Sequence, residues 1–134
     1  FSLCEQAMVR AGLTDTKRIL NSRPYHLSGG MLQRVLIALA IAGKARLVIA
    51  DEPTTALDAI HRDRAVEQLL KLREQGCAIL IVTHDFDVAR HMGGHVLIMK
   101  EGRMVERGSA KEVLQNPKAG YTKELIEAIH LGWG

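Results

Sequence analysis

The sequence predicts an α/β fold in which parallel strands are flanked by helices and a β-hairpin follows toward the C-terminus. Two short apolar runs, residues 47–50 (LVIA) and 77–82 (CAILIV), each end in polar residues, and one long amphipathic segment separates them. Strands that alternate with helices imply parallel pairing. Two further strand-like runs, 95–100 and 103–107, meet at Glu101-Gly102, a good hairpin turn. The chain has 134 residues, enough for about one domain and one core.

Each element has a local reason. Leu3, Ala7 and Met8 recur at helical spacing, Gly12 closes that pattern, and residues 14–20 form a second short helix. Residues 21–30 (NSRPYHLSGG) are dense in turn formers and read as a loop. Ser28 then caps a strong helix whose apolar stripe is Leu32, Val35, Leu36, Leu39 and Ala40, with Gly43 as the stop. The two apolar runs read as strands buried on both faces. Between them, residues 59–75 carry Ile60, Val66, Leu69, Leu70 and Leu72 on a helix that Gly76 ends. Residues 86–92, 110–115 and 122–129 complete the helices, the last two parted by Asn116-Pro117. There is no internal repeat.

Apolar residues make up 47% and charged residues 25%, which argues against disorder. The net charge of +3 is spread along the chain, and the aromatics Phe1, Tyr25, Phe86, Tyr121 and Trp133 are too few for a base-stacking platform, so no nucleic-acid partner is expected. Cys4 and Cys77 make neither a disulfide framework nor a zinc site, and imply a reducing compartment. The longest apolar run, residues 35–42, is too short to cross a bilayer, and no signal peptide opens the chain. Of the six histidines only His91 and His95 have near-ligand spacing, and Gly93-Gly94 between them breaks any shared helix face.

Three features carry chemistry. Asp51-Glu52 places adjacent carboxylates at the end of an apolar strand, where they are costly without a partner. One suits Mg²⁺ and the other suits an attacking water, although capping a turn is the simpler use. Ser28-Gly29-Gly30 runs into a helix, where backbone N–H groups and glycines allow an anion to approach; an ordinary capped loop has the same form. His84 follows the second strand, as either a structural residue or one that meets a phosphate or a water.

In the order LSGGMLQR, LVIADEPTTALD, IVTHD, these segments together resemble the ATP-binding-cassette (ABC) ATPase family over essentially the whole chain. Residues 27–34 resemble the signature motif, 47–52 the Walker B strand, 55–58 the D-loop, and His84 the switch histidine. The resemblance implies a dimer with ATP and Mg²⁺ between two nucleotide-binding domains. Ser28, Gly29, Gly30 and Gln33, in the signature segment, would serve nucleotide bound by the opposite subunit. Asp51 would help hold Mg²⁺, Glu52 would orient or activate the water, His84 would reach the γ-phosphate, and Asp58 would couple the two sites. Positioning and charge stabilisation do most of the work in such phosphoryl transfer.

The phosphate-binding loop G-x-x-x-x-G-K-[ST] is absent; Gly43-Lys44 ends a helix instead of opening one. The glutamine loop and an adenine-stacking aromatic are absent too, and Gln33 is not that glutamine. The resemblance therefore implies the C-terminal part of a nucleotide-binding domain. Residues 1–26 would end the helical subdomain, 27–107 would hold the signature helix and catalytic core, and 108–134 would form a helical tail. IADEPTTALD, with Asn116, Pro117, Tyr121, Thr122 and Leu125, resembles the oligopeptide, dipeptide and nickel importers; Ala119-Gly120 departs from that tail pattern. The implied setting is the cytoplasmic face of the plasma membrane, with a permease and an extracytoplasmic solute-binding protein. Alternatives are a non-transport ABC ATPase acting on nucleic acid or ribosomes, and a truncated, non-catalytic dimerisation module. Alone, the chain is expected to bind and hydrolyse MgATP poorly, and to self-associate through unpaired strand edges.

Overall fold

A computed structural model describes residues 2–55 and 59–131. The chain divides into two compact units, Phe1–His84 and Asp85–Gly134.

The first unit holds α1 (Leu3–Arg10), α2 (Thr16–Leu20), a 3₁₀ turn (Pro24–His26), α3 (Gly29–Ala42), β1 (Leu47–Asp51), α4 (Ala59–Glu74) and β2 (Ala78–Val82). β1 and β2 pair in parallel, Leu47 opposite Ala78 through Asp51 opposite Val82. This register brings the C-terminal ends of both strands level, so Asp51-Glu52 and Thr83-His84 emerge side by side. Ala7, Met8, Ala11, Leu13, Ile19, Ile37, Ala38, Ala65, Val66, Leu69 and Leu72 form the core.

Two readings of apolar pattern change here. The strands are not buried on both faces. Leu47 (54% exposed), Ile49 (64%), Leu80 (48%) and Val82 (52%) line an open face. The α3 stripe also points outward: Leu36 is 59% and Leu39 62% exposed, whereas Ile37 and Ala38 are buried. α3 is apolar nearly all round, so its sequence does not say which side packs inward; contacts with α1 and α4 decide it. Paired only with each other, the strands have nothing over their second face among the described residues.

Such a face promotes association. Sedimentation velocity should therefore find oligomers of the wild-type chain, and Ile49→Lys with Leu80→Lys should shift them toward monomer. A monodisperse wild-type monomer would refute this expectation.

Gly43 does stop α3, but Lys44 (φ 48°) makes the left-handed turn, with its N–H donating to the Ile41 carbonyl. A Cβ on Gly43 would come within 3.2 Å of the Leu39 carbonyl oxygen, a tight approach. Helix α3 begins at Gly29, so Gly29 and Gly30 are its first turn and not a preceding loop.

The second unit holds α5 (Phe86–Met92), β3 (His95–Lys100), β4 (Arg103–Ser109), α6 (Ala110–Gln115) and α7 (Gly120–Leu131). β3 and β4 are antiparallel, and both turn residues, Glu101 (φ 50°) and Gly102 (φ 74°), are left-handed, as a type I′ turn requires. A register shift at Ile98/Met99 marks a bulge. Lys100 Nζ lies 4.4 Å from the Tyr121 ring centre. The Glu106 carboxylate accepts from the Lys118 and Ala119 N–H groups; the fully buried Thr122 hydroxyl lies nearby without closing a hydrogen bond.

α6 opens with a capping box. The Glu112 N–H donates to Ser109 Oγ (3.2 Å), and the Ser109 N–H and hydroxyl donate to Glu112 Oε2. The Ser109 hydroxyl, then its N–H, hold the Glu112 carboxyl below the usual range. A depressed folded-state value means stability that is present above the ordinary carboxylate range and is lost as the pH falls through the folded value. Wild type should therefore melt above Glu112→Gln at neutral pH, and the gap should close as the pH falls below the ordinary carboxylate range. Melting curves at several pH values check this; a gap that stays constant into acid would refute it.

Candidate functional site

The site grows from the sharp turn that ends β1. Glu52 takes φ 46°, unusual for a residue with a side chain. Its N–H donates to the Val82 carbonyl (2.8 Å), which ties the turn to the neighbouring strand end. Thr55 N–H reaches back toward the Glu52 carbonyl at 3.4 Å.

The Glu52 carboxylate is held at both oxygens. Oε1 accepts from the His84 backbone N–H (3.1 Å) and lies 2.8 Å from His84 Nδ1. Oε2 accepts from the Thr55 hydroxyl (2.8 Å). A carboxylate only accepts, so Nδ1 carries the proton in this contact, and Nε2 is the ring nitrogen a phosphate would have to meet. The His84 ring hydrogen bond, then that of Thr55, keeps the Glu52 carboxyl below the usual range. Glu52 is about one-third exposed and His84 three-quarters exposed, so the pair faces an open surface.

Asp51, the last residue of β1, is exposed. No three His, Cys, Asp or Glu side chains gather as metal ligands among the described residues. Asp51 supplies one hard oxygen donor, which fits Mg²⁺ completed by water and phosphate oxygens.

Ser28 caps α3, its hydroxyl accepting from the Met31 N–H at 3.3 Å. The first-turn amides of Gly29 and Gly30 have no partner inside the helix. A Cβ built on Gly29 would meet nothing within 4 Å, so packing within the chain does not require the glycine. An open, glycine-led helix start of this kind fits an approaching anion. Gln33 is turned to other use: its amide donates to the Pro53 carbonyl, in the turn beside Glu52. Asp58 lies outside the described residues.

The structure thus joins Glu52 directly to His84 and ties Gln33 to their turn. Thr55, whose hydroxyl completes the carboxylate's shell, was read only as the start of the D-loop segment; its offset of three from Glu52 was the available signal. A cleft of about 270 Å³ in the second unit, lined by Arg90, Gly93, Gly94, Ser109, Lys111 and Leu114 among others, contains no carboxylate or histidine.

The chain is a mixed α/β protein whose candidate site lies at the ends of two adjacent parallel strands. The ABC transporter family profile matches residues 2–55. The ATP-binding protein CntD of a metal-staphylopine import system in Staphylococcus aureus is 47% identical over 85% of this chain and 42% of its own length. The oligopeptide transport ATP-binding protein OppD of Lactococcus lactis is 40% identical over 92% of this chain and 37% of its own. Among solved structures, CbiO1 from Clostridium perfringens, part of an ABC transporter complex, aligns with TM-score 0.73 and 32% identity over 96% of this chain and 48% of its own. A dimeric ATP-binding cassette bound to ADP and Pi aligns with TM-score 0.66 and 35% identity, covering 78% of this chain and 44% of its own.

The chain belongs to the ABC transporter ATPase family, and its relatives include ATP-binding proteins of oligopeptide, dipeptide and nickel import systems. It spans about two-fifths of the length of the curated relatives first matched.

Proposed function

We propose that this chain is the C-terminal part of the nucleotide-binding domain of an importer ATPase, energising uptake of a peptide, nickel or a similar small solute. One observation carries the reading: the Glu52 carboxylate is bonded to His84 at the ends of two adjacent parallel strands. In open α/β sheets, ligands bind beyond the carboxyl ends of the strands. Residues 1–26 would close the helical subdomain, 27–107 carry the signature helix and catalytic core, and 108–134 form the tail.

Asp51 would hold Mg²⁺, which when bound neutralises charge developing on the phosphates. Glu52 and His84 act from opposite sides of one hydrogen bond. Glu52, its carboxylate fixed by His84 and Thr55, would orient or activate the attacking water. Ser28, Gly29 and Gly30 would meet the γ-phosphate of ATP held by a second nucleotide-binding domain, and Asp58 would couple the two sites. Permease subunits at the cytoplasmic face of the plasma membrane, fed by an extracytoplasmic solute-binding protein, complete the assembly. No described helix is long and apolar enough to cross a membrane.

The sequence has no Walker A lysine to cradle the β- and γ-phosphates. Calorimetric titration of MgATP into the chain alone should therefore give no measurable heat of binding, with Glu52→Gln behaving identically. Tight binding, or steady turnover that Glu52→Gln abolishes, would overturn the half-site reading.

A further inference from the structure

Adjacent residues on α3 tie that helix in two directions. The Arg34 guanidinium donates through Nε to the Gly30 carbonyl (3.0 Å) and through Nη1 to the Gly12 carbonyl (3.0 Å), fixing the helix start against the turn after α1. The Gln33 amide donates to the Pro53 carbonyl, in the turn that follows β1. Gln33 and Pro53 are both half-buried, and Thr54 beside them is buried. On the other side of Pro53 stands Glu52, left-handed and pinned by Val82, His84 and Thr55.

The geometry points to Gln33 as a positioning residue. Its amide, donated to the Pro53 carbonyl, makes the Ser28–Gly30 helix start and the turn bearing Glu52 move as one body. A phosphate engaging Ser28 to Gly30 would then set the Glu52 carboxylate of the same chain through a single side chain. Two features favour this role over a nucleotide contact. The amide is already spent on a backbone acceptor within the fold. Gln33 also lies one helical turn beyond Gly29, on the side that meets the β1 turn. The inference rests on the proposed roles of Glu52 and of Ser28 to Gly30.

The test uses an intact ATP-binding subunit that contains this segment. Gln33→Met keeps the length and loses the donor; Gln33→Glu keeps the shape and replaces the donor with an acceptor. Misplacing a catalytic group by about 1 Å costs up to roughly 100-fold. Both variants should lower kcat by roughly tenfold or more, with KM for ATP changed by less than about twofold. Unchanged kcat in either folded variant overturns the inference. A raised KM with unchanged kcat also overturns it, and makes Gln33 a nucleotide contact instead. If Gln33→Met fails to fold, by melting curve and circular dichroism, Gln33→Glu decides. Wild type and Glu52→Gln are assayed alongside. An inactive wild type, or an active Glu52→Gln, defeats the site reading itself. With those two behaving as expected, a failure belongs to Gln33 alone.

Discussion

Glu52→Gln, introduced into an intact subunit containing this segment, should reduce ATP hydrolysis by about 100- to 10,000-fold while leaving ATP affinity nearly unchanged. The substitution removes charge and little else. The amide oxygen of Gln can accept from the His84 N–H and Nδ1–H, where Oε1 of Glu52 now does. The amide nitrogen then faces Thr55, whose hydroxyl can rotate from donor to acceptor. The turn keeps its shape, so the loss measures the carboxylate's effect on the water. Steady-state turnover and equilibrium ATP binding, measured on the same preparations, check both halves of the expectation. Retained turnover would remove Glu52 from the mechanism.

Leu69→Ala should destabilise the first unit by about 2–5 kcal/mol. Leu69 is 3% exposed on α4, beside Ala65, Val66 and Leu72 on the same buried side. Truncation would leave a cavity in a unit whose sheet, among the described residues, has two strands and one covered face. Domains of this size have only about 5–15 kcal/mol of total stability, so the variant should sit near its unfolding midpoint under mild conditions. Exposed Glu67 on the same helix provides the control, with Glu67→Ala expected within about 0.5 kcal/mol of wild type. Urea titrations followed by circular dichroism compare the two. A Leu69→Ala change no larger than the control would mean that α4 does not anchor this core.

Element identity was legible because local chemistry decides it. Ser28 caps α3, Glu101-Gly102 turns the hairpin, and Gly76 (φ 89°) ends the α4 segment as the spacing implied. The outward stripe of α3 was not legible. Periodicity groups Leu32, Leu36 and Leu39 on one side, but it cannot say whether the chain itself supplies what covers them. The same limit applies to Leu47, Ile49, Leu80 and Val82: an apolar run records the environment a strand suits, and here one face of both strands stays open among the described residues. At the site, adjacent strand ends made the meeting of Glu52 and His84 foreseeable. The Gln33–Pro53 bond joins residues twenty positions apart through a backbone acceptor, which leaves no mark in side-chain pattern. The left-handed Glu52 was hidden as well, since glutamate has no special preference for that conformation.

On the proposed role of Glu52, that backbone conformation sets stability against catalysis at a single position. A glycine there would relax the turn by about 1 kcal/mol, because only glycine takes positive φ without steric penalty. It would also delete the carboxylate. In an intact subunit where Glu52 serves the water as proposed, screening for heat resistance alone would thus drift toward inactive variants at position 52, whereas selection for turnover would keep the strained glutamate. The neighbouring hydrogen bonds from His84 and Thr55 offset that strain, so improving them is the route to a sturdier chain that still works.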